Sequence, residues 1–433
     1  MKGASLFETS VLTAPLRRIF FGKFENAGKW ILAALLLSCI FIPRLSLKIG
    51  GTFRFDLRME DFLLLPLIFL FFSGSGQGGR AFRFVEKSFL LFFLATSVSV
   101  INGIWQGTLD KPVVSLFYIL KWAEYFLIFS VAAFFAAGRE NSRFLLKIFF
   151  ILGLGLACYG YWETAFPSEN VAYPNYYRLY ERFPFFGDSN HVSGLIVLWI
   201  AFFTGIYLKS KNPLQTGILA AALLLIFPPF LLSYSRKSYF ALGAALLPAF
   251  FIKGSRRRLL FLVLCYVLIA LLLPSRVLER VGGVAEALSS ADTYNSSWAH
   301  NVESWELALW NFKNFWLFGA GFAARHRIFY ESQYLMVLTE TGFTGFFCFL
   351  ALIFSPLRGV LAFWPAVDKD PEARGIAWGW VLGFTGMLVH NISCISWSIV
   401  KVAMPWWFLA GAVLSYLAAA KQEEAVSREA FCP

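Results

Sequence analysis

The sequence predicts an all-α, polytopic transmembrane helical bundle, and its composition and its apolar runs both lead to that fold class. Of the 433 residues, 58% are hydrophobic and 15% are charged, whereas soluble domains carry roughly 25% charged residues. Apolar runs near the length that crosses the hydrocarbon core of a bilayer, about 20 residues, recur along most of the chain. We therefore expect a single integral membrane domain, 1–433, with about twelve spans.

Several function classes are disfavoured by the same composition. The formal charge of +12 does not predict nucleic-acid binding, because the basic residues are dispersed in short clusters between apolar runs. The six cysteines lack paired or metal-type spacing, so we expect buried thiols and no disulfides. No metal site and no cofactor are predicted. The chain also lacks a phosphate-cradling GxxxxGK[ST] sequence, which argues against ATP-driven work.

The twelve predicted spans follow one another, and the longest connections precede the sixth and the tenth. They cover residues 30–46, 60–73, 88–104, 116–136, 147–165, 192–208, 215–233, 238–253, 259–274, 333–355, 376–393 and 399–419. Basic clusters fall in alternate loops, and the positive-inside rule places those loops and both termini in the cytoplasm. The exception is the loop with Arg44, Lys48, Arg54 and Arg58, which this count places outside. Either the first span is misjudged, or these cations bind something anionic.

The unusual polar residues are predicted on the outer side. That side holds the loop 167–190, the turn 233–239 and the long segment 275–332, a partly helical loop inserted between the ninth and tenth spans. All four histidines of the chain also map there; they are His191, His300, His326 and His390. Chemistry on a polar substrate is therefore expected at this face.

Four short stretches resemble the bacterial O-antigen ligase and polymerase superfamily of membrane glycosyltransferases. They are the Arg-x-Glu-Asp of 58–61, the Asp-x-Asn of 188–190, the Ser-Arg-Lys turn of 235–237, and the Trp, Gly-Ala-Gly and Tyr-Leu…Thr-Gly series of 305–342. The chain departs from the ligase pattern where Glu331 and Ser332 precede Tyr334, since ligases usually have His-Asn there. Both the ligase and the polymerase remain open.

The resemblance implies a reaction and a location. Such an enzyme moves a glycan from an undecaprenyl diphosphate carrier to an acceptor hydroxyl, at the periplasmic face of the bacterial inner membrane. The acceptor is a second lipid-linked glycan in a polymerase, and a lipid A core or a protein in a ligase. A flippase and a chain-length regulator are the expected protein partners. The alternative class is a lipid-linked oligosaccharide flippase, which would carry charged residues at mid-span and repeated halves. Here the mid-span positions are nearly free of charge, with Lys121 and Glu124 as the main exceptions, and no internal repeat is evident.

Four residues are the catalytic candidates. Arg236 lies at an outer turn, and its planar guanidinium matches the oxygens of a diphosphate leaving group. Glu331, at the membrane edge of an apolar span, is the first candidate for the base that deprotonates the acceptor. Alternatively, Glu331 forms an ion pair with Arg325 or Arg327. His300 and His326 are alternative bases or phosphate donors.

The predicted substrate-binding residues are spread over the outer loops. They are Asp188, Asn190, His191, Lys237, Arg325, Arg327 and Tyr334. Some of these residues also have a structural interpretation. Asn190 could cap the helix that follows it, and Lys237, like Arg236, could be an interfacial cation. The aromatic residues of the outer loops could form an interfacial belt.

Overall fold

The described residues form a helical bundle and a short β-hairpin. This computed structural model describes residues 14–42, 45–49, 53–73, 79–166, 178–180, 182, 185, 189–279, 297–324, 330–367 and 370–431. The helices are α1 (Ala14–Phe41), α2 (Met59–Ser73), α3 (Gly79–Trp105), α4 (Pro112–Phe135), α5 (Arg139–Ala165), α6 (Ser189–Lys209), α7 (Pro213–Leu232), α8 (Arg236–Leu246), α9 (Arg256–Leu272), α10 (Ser297–Asn314), α11 (Gln333–Val367), α12 (Pro371–His390) and α13 (Val400–Phe431). Short 3-10 turns cover Leu247–Phe251 and Ser396–Ser398.

The spanning helices agree with the predicted fold class in its coarse form. Within the described residues, seven helices are long and apolar enough to cross a membrane: α3 from Arg83, α4, α5, α6, α7, α11 and α13. The remaining predicted spans coincide with α1, α2, α8, α9 and α12. The protein is therefore a membrane-embedded helical bundle, and the number of twelve spans stays a prediction.

The hairpin corrects the end of the first predicted span, and it is a small addition to a fold of the all-α class. Helix α1 ends at Phe41, and the chain then forms β1 (Leu45–Ile49) and β2 (Phe53–Leu57). The two strands pair antiparallel, from Leu45 opposite Leu57 to Ile49 opposite Phe53. Apolar residues at every second position are typical of a half-buried strand. The same apolar residues raise the local hydropathy, which made 42–46 read as the continuation of a span.

Helix α6 lies at the centre of the bundle and packs closely on α12. Its residues from Val192 to Leu208 are all buried. At the crossing, a Cβ atom added to Gly205 would come within 2.2 Å of the Gly379 amide nitrogen. Backbone approach of this kind needs small residues, as is usual between membrane helices, where apolar burial alone does not hold helices together. The glycines of α12 therefore allow it to pack closely against α6.

Two pairs of helix ends that the sequence assigns to the cytoplasm are in contact. Arg143 at the start of α5 forms a bidentate pair with Glu372 at the start of α12, at 2.7 and 2.6 Å. The Lys209 ammonium, at the end of α6, donates to the Lys253 carbonyl at 2.9 Å. These segments belong to loops that the sequence assigns to the cytoplasm. Their mutual contact is consistent with one shared side, while the orientation in the membrane stays a prediction.

A kink in α11 joins the end of the long outer segment to the bundle. Gly342 has φ 65 and ψ −169 inside the helix, a region essentially restricted to glycine. The Gly-Ala-Gly turn 319–321 forms backbone hydrogen bonds with the residues just before the kink. The Ala320 amide donates to the Thr339 carbonyl at 3.0 Å, and the Gly321 amide donates to the Glu340 carbonyl at 3.1 Å. The two glycine motifs of this region therefore form one structural unit.

Candidate functional site

The candidate site is centred on an ion pair between Lys237 and Glu331. The Lys237 ammonium contacts a Glu331 carboxylate oxygen, although the two residues are 94 positions apart. It also donates to the side-chain oxygen of Asn301 at 3.3 Å, and the Glu331 amide donates to the Ser304 hydroxyl at 3.1 Å. The start of α8, the start of α10 and the segment before α11 thus meet here. The two charged side chains are 17% and 25% exposed, so the pair is accessible from outside the bundle.

Arg236 lies beside this pair as the first residue of α8. Ser235 before it has extended backbone, with φ −88 and ψ 95, so the helix begins sharply at Arg236. Its side chain is partly buried. The free amides of a helix N-terminus carry partial positive charge, and two consecutive cations add to it. This end of α8 is therefore suited to hold an anionic group.

Asn190 joins the site through an arginine that our sequence interpretation missed. Arg178 donates through Nη2 to the Asn190 side-chain oxygen at 2.9 Å, and through Nε to the Ser233 carbonyl at 3.0 Å. Arg178 therefore connects the start of α6 with the end of α7, next to the turn that carries Arg236. Its only signal in the sequence was its place in the predicted outer loop 167–190, a place that it shares with Arg182.

A buried polar layer lies under the start of α8. His390, the last residue of α12, is fully buried. Its Nε2 is 3.1 Å from the Ser238 hydroxyl, and its Nδ1 is 3.0 Å from the Ser396 hydroxyl. Ser238 also donates to the Ser193 hydroxyl of α6 at 3.0 Å. The imidazole of His390 thus connects α6, α8 and α12 with the 3-10 turn Ser396–Ser398.

His191 reaches the same layer from its outer edge. Its Nδ1 is 3.4 Å from the Ser396 hydroxyl, and the residue is partly buried. His191, which the sequence predicted as a site residue, therefore lies at the edge of this polar layer. His390 lies at its centre; the sequence placed His390 on the outer side but did not select it. The sequence signal that could have predicted this polar layer was a set of serines inside apolar runs.

Tyr334 is positioned by a contact between helices. Its hydroxyl donates to the Leu388 carbonyl of α12 at 2.7 Å, and its ring meets Trp397 edge-on with centroids 6.1 Å apart. These contacts orient the first turn of α11, just after Glu331. Tyr334 thus lies close to the site and helps to hold its carboxylate segment.

Cys394 is a buried thiol close to the ion pair. Burial raises its pKa to about 11, with smaller effects from Lys237, which lowers it, and Glu331, which raises it. The thiol is therefore protonated at neutral pH. Since the thiolate is the nucleophilic form, Cys394 is unsuited to covalent chemistry here.

The structure describes few of the remaining predicted site residues. Asp188, Arg325, His326 and Arg327 lie outside the described residues, and the backbone of His300 lies in α10 without a described side chain. Glu331 is paired with Lys237, and the pairing with Arg325 or Arg327 stays a prediction. His300 immediately precedes Asn301, which contacts Lys237, so α10 brings that position close to the site.

A second charged cluster lies between α2 and α4. The Lys121 ammonium is paired with Glu124 and lies 3.5 Å from an Asp61 carboxylate oxygen. Arg58 lies 3.4 Å from the buried Glu60. The predicted mid-span charges are therefore paired with other charges inside the bundle, as is usual for ionisable groups at membrane depth.

Comparison with known proteins identifies no relative. No protein-family model matches the chain, and no curated protein matches it either. The motif resemblance and the geometry of the site are therefore the grounds on which a function can be argued.

Proposed function

We propose that the protein is a membrane glycosyltransferase that transfers or polymerises undecaprenyl diphosphate-linked glycan at the periplasmic face, in O-antigen or surface polysaccharide assembly. One observation supports this proposal above the others. The outer turn with Arg236 and Lys237 meets the segment with Glu331 through an ion pair, and both stretches resemble the superfamily. The ion pair thus brings two stretches that are 94 positions apart in the sequence to one place on the bundle.

In this proposal, the cations at the start of α8 hold the diphosphate. Arg236 and Lys237 lie side by side at a helix N-terminus in a partly buried position. Negative charge grows on the diphosphate as its bond to the sugar breaks. Fixed cations in a water-poor site stabilise such charge best, because they need no reorganisation during the reaction. Arg178, bound to Asn190 and Ser233, holds the neighbouring backbone in place.

Glu331 would act as the base after substrate has bound. In the structure its carboxylate is paired with Lys237. An incoming diphosphate competes for that ammonium and so separates the carboxylate from it. The acceptor oxygen then bonds to the anomeric carbon, the bond from that carbon to the diphosphate oxygen breaks, and its electron pair leaves on the diphosphate. The hydroxyl proton passes to Glu331.

Reconstitution in proteoliposomes tests the proposal. Purified protein is given lipid-linked oligosaccharide alone, or together with lipid A core, and products are separated by gel electrophoresis. A ladder from the donor alone identifies a polymerase, and a product only with lipid A core identifies a ligase. Absence of any glycan transfer under conditions where the folded protein binds the donor would overturn the proposal.

A lipid-linked oligosaccharide flippase is the second candidate. The paired charges between α2 and α4, with Lys121 bound to Glu124 and near Asp61, are the observation that favours it, since transporters carry ionisable groups at membrane depth. The same proteoliposomes distinguish the two. A flippase moves the labelled lipid-linked glycan between leaflets without changing its length.

A further inference from the structure

The polar layer under α8 consists of serine hydroxyls and one imidazole that the proposed mechanism does not use. Its members are all buried; they are Ser193, Ser235, Ser238, Ser396 and His390. Buried polar groups are generally arranged so that each donor meets an acceptor. A serine hydroxyl has only one proton to donate, so the contacts of the layer determine the direction of its hydrogen bonds.

The direction follows from Ser193 in α6. Its hydroxyl donates to the Ser189 carbonyl at 2.6 Å and lies 3.1 Å from the Asn190 carbonyl, and both carbonyls can only accept. In its contact with Ser238 at 3.0 Å, Ser238 is therefore the donor. Ser238 then has no proton left for His390. The imidazole Nε2, which is 3.1 Å away, must carry a proton and donate it to Ser238.

Ser235 is held by the same hydrogen bonds. Its hydroxyl is 2.9 Å from that of Ser238, and Ser235 is the donor because the proton of Ser238 is already used. The two serines immediately precede and follow Arg236 and Lys237 in the chain. His390 therefore anchors, through Ser238, both ends of the turn that carries the two cations.

The bond to Ser238 also changes what Ser235 does for α8. Ser235 is the N-cap residue of this helix, and a serine there usually accepts a hydrogen bond from an amide of the first turn. Here its side chain makes no such cap bond, and its hydroxyl bonds to Ser238 instead. The first turn of α8 is therefore not closed by its own cap, which favours an anion from outside the helix.

We propose that His390 is a positioning residue for the candidate site. By donating from Nε2 to Ser238, it holds Ser238 and Ser235 in place. It thereby keeps Arg236, Lys237 and the uncapped first turn of α8 in the geometry that receives a diphosphate. His390 is fully buried, so it acts through Ser238 and does not touch the substrate. The inference rests on the proposed function for the identity of the anion, whereas the direction of the hydrogen bonds does not depend on it.

Nitrogen-15 NMR of the histidine-labelled, full-length protein in detergent tests the direction of the hydrogen bonds. The chain has four histidines, and the signals of His390 are those that disappear in His390→Gln. The ε2 nitrogen of His390 should have the chemical shift of a protonated ring nitrogen. An ε2 nitrogen without a proton would overturn the proposal, because Ser238 would then have to donate to it.

Binding of inorganic diphosphate to the same protein, measured by titration calorimetry, tests the positioning. Ser238→Ala releases the Ser235 hydroxyl to cap α8, so binding should weaken by about 2- to 30-fold, the factor that corresponds to a serine N-cap. Ser235→Ala/Ser238→Ala has no hydroxyl to form that cap and should bind as the parent does. A double variant that binds as weakly as Ser238→Ala would contradict the proposal.

Two substitutions of His390 separate its hydrogen bond from its packing. Glutamine places an amide donor near the position of Nε2, whereas the shorter asparagine does not reach Ser238. His390→Gln should therefore bind diphosphate more tightly than His390→Asn, and equal binding by the two folded variants would overturn the positioning role.

The matched control is Ser355→Ala, which removes a buried hydroxyl that bonds within α11 and should leave diphosphate binding unchanged. Thermal unfolding checks that each variant is folded. Unchanged binding in Ser238→Ala would overturn this inference and leave the proposed function in place. A parent protein that binds no diphosphate would overturn both.

Discussion

Replacing Glu331 by glutamine is the most informative perturbation of the candidate site. The substitution keeps the size of the side chain and its ability to accept a hydrogen bond from Lys237, but it removes the proton acceptor. If Glu331 is the base, glycan transfer should fall by about 10²–10⁴-fold. Binding of the lipid-linked donor should persist or strengthen, because Lys237 no longer has a carboxylate as a competing partner.

The expected effect on stability is smaller and follows from the burial of the pair. Exposed ion pairs are worth about 0–1 kcal/mol, and removing one partner of a fully buried pair costs about 3–5 kcal/mol. The side chains of Lys237 and Glu331 are 17% and 25% exposed, which lies between those limits. We therefore expect a loss of about 1–3 kcal/mol, measured by thermal unfolding in detergent.

A charge-swapped double variant distinguishes catalysis from structure. Lys237→Glu/Glu331→Lys restores the ion pair and should recover most of the stability, but it puts the carboxylate on α8 and removes the cation beside Arg236. Activity should stay low. The matched control is Glu372→Gln, which breaks the Arg143 pair at the opposite end of the bundle and should change the rate by no more than a few-fold.

Two results would refute this reasoning. Turnover of Glu331→Gln within a few-fold of the parent would leave Glu331 as a structural partner of Lys237. Recovery of full activity in the charge-swapped variant would lead to the same conclusion, because the pair and not the carboxylate's position would then matter. The role of the base would pass to His300 or His326.

Four further outcomes are expected. Arg236→Ala should abolish transfer with insertion intact, and Arg236→Lys should rescue poorly because the planar fork is lost; full activity of the alanine variant in proteoliposomes would exclude the leaving-group role. Reporter fusions should place position 285 outside and position 257 inside, and the reverse would invert the topology. His390→Ala should lower stability by about 1–3 kcal/mol, since the hydrogen bonds between two buried serine hydroxyls and the imidazole are lost at about 0.5–1.5 kcal/mol each, while Ser238 and Ser396 keep Ser193 and His191 as neighbours; an unchanged melting temperature would contradict this. Gly342→Ala should prevent accumulation of folded protein, because its Cβ would lie 2.4 Å from the Leu317 carbonyl; size-exclusion profiles that match the parent would contradict it.

The candidate site shows where sequence interpretation succeeds and where it stops. Arg236 was selected mainly for its place in a turn that resembles the superfamily, and Glu331 was selected as a carboxylate at the membrane edge of an apolar span. Their neighbourhood could not be predicted, because the pairing of Glu331 with Lys237 depends on how α8, α10 and α11 meet. Arg325 and Arg327 are nearer in sequence and were the natural guess. His390 was passed over since, in the sequence, it is one histidine at the end of an apolar run.

The hairpin shows a different limit. Its alternating residues 45–49 and 53–57 carry a strand signal of period two, but a hydropathy window averages over that alternation and extends the first span into it. Only the structure showed the register of the two strands, in which Lys48 is opposite Arg54.

The sequence by itself determined the membrane environment, the helical class and the approximate limits of most helices. These depend on the transfer of apolar side chains into lipid and on backbone hydrogen bonds that each helix satisfies internally, so local composition is sufficient. The tertiary structure decided which polar groups share a site: the ion pair of Lys237 with Glu331, the clamp of Arg178, and the serines around His390. Those contacts depend on helix packing at glycines such as Gly205 and Gly379, where small differences in backbone approach select the neighbours of each side chain, and no local pattern encodes that choice.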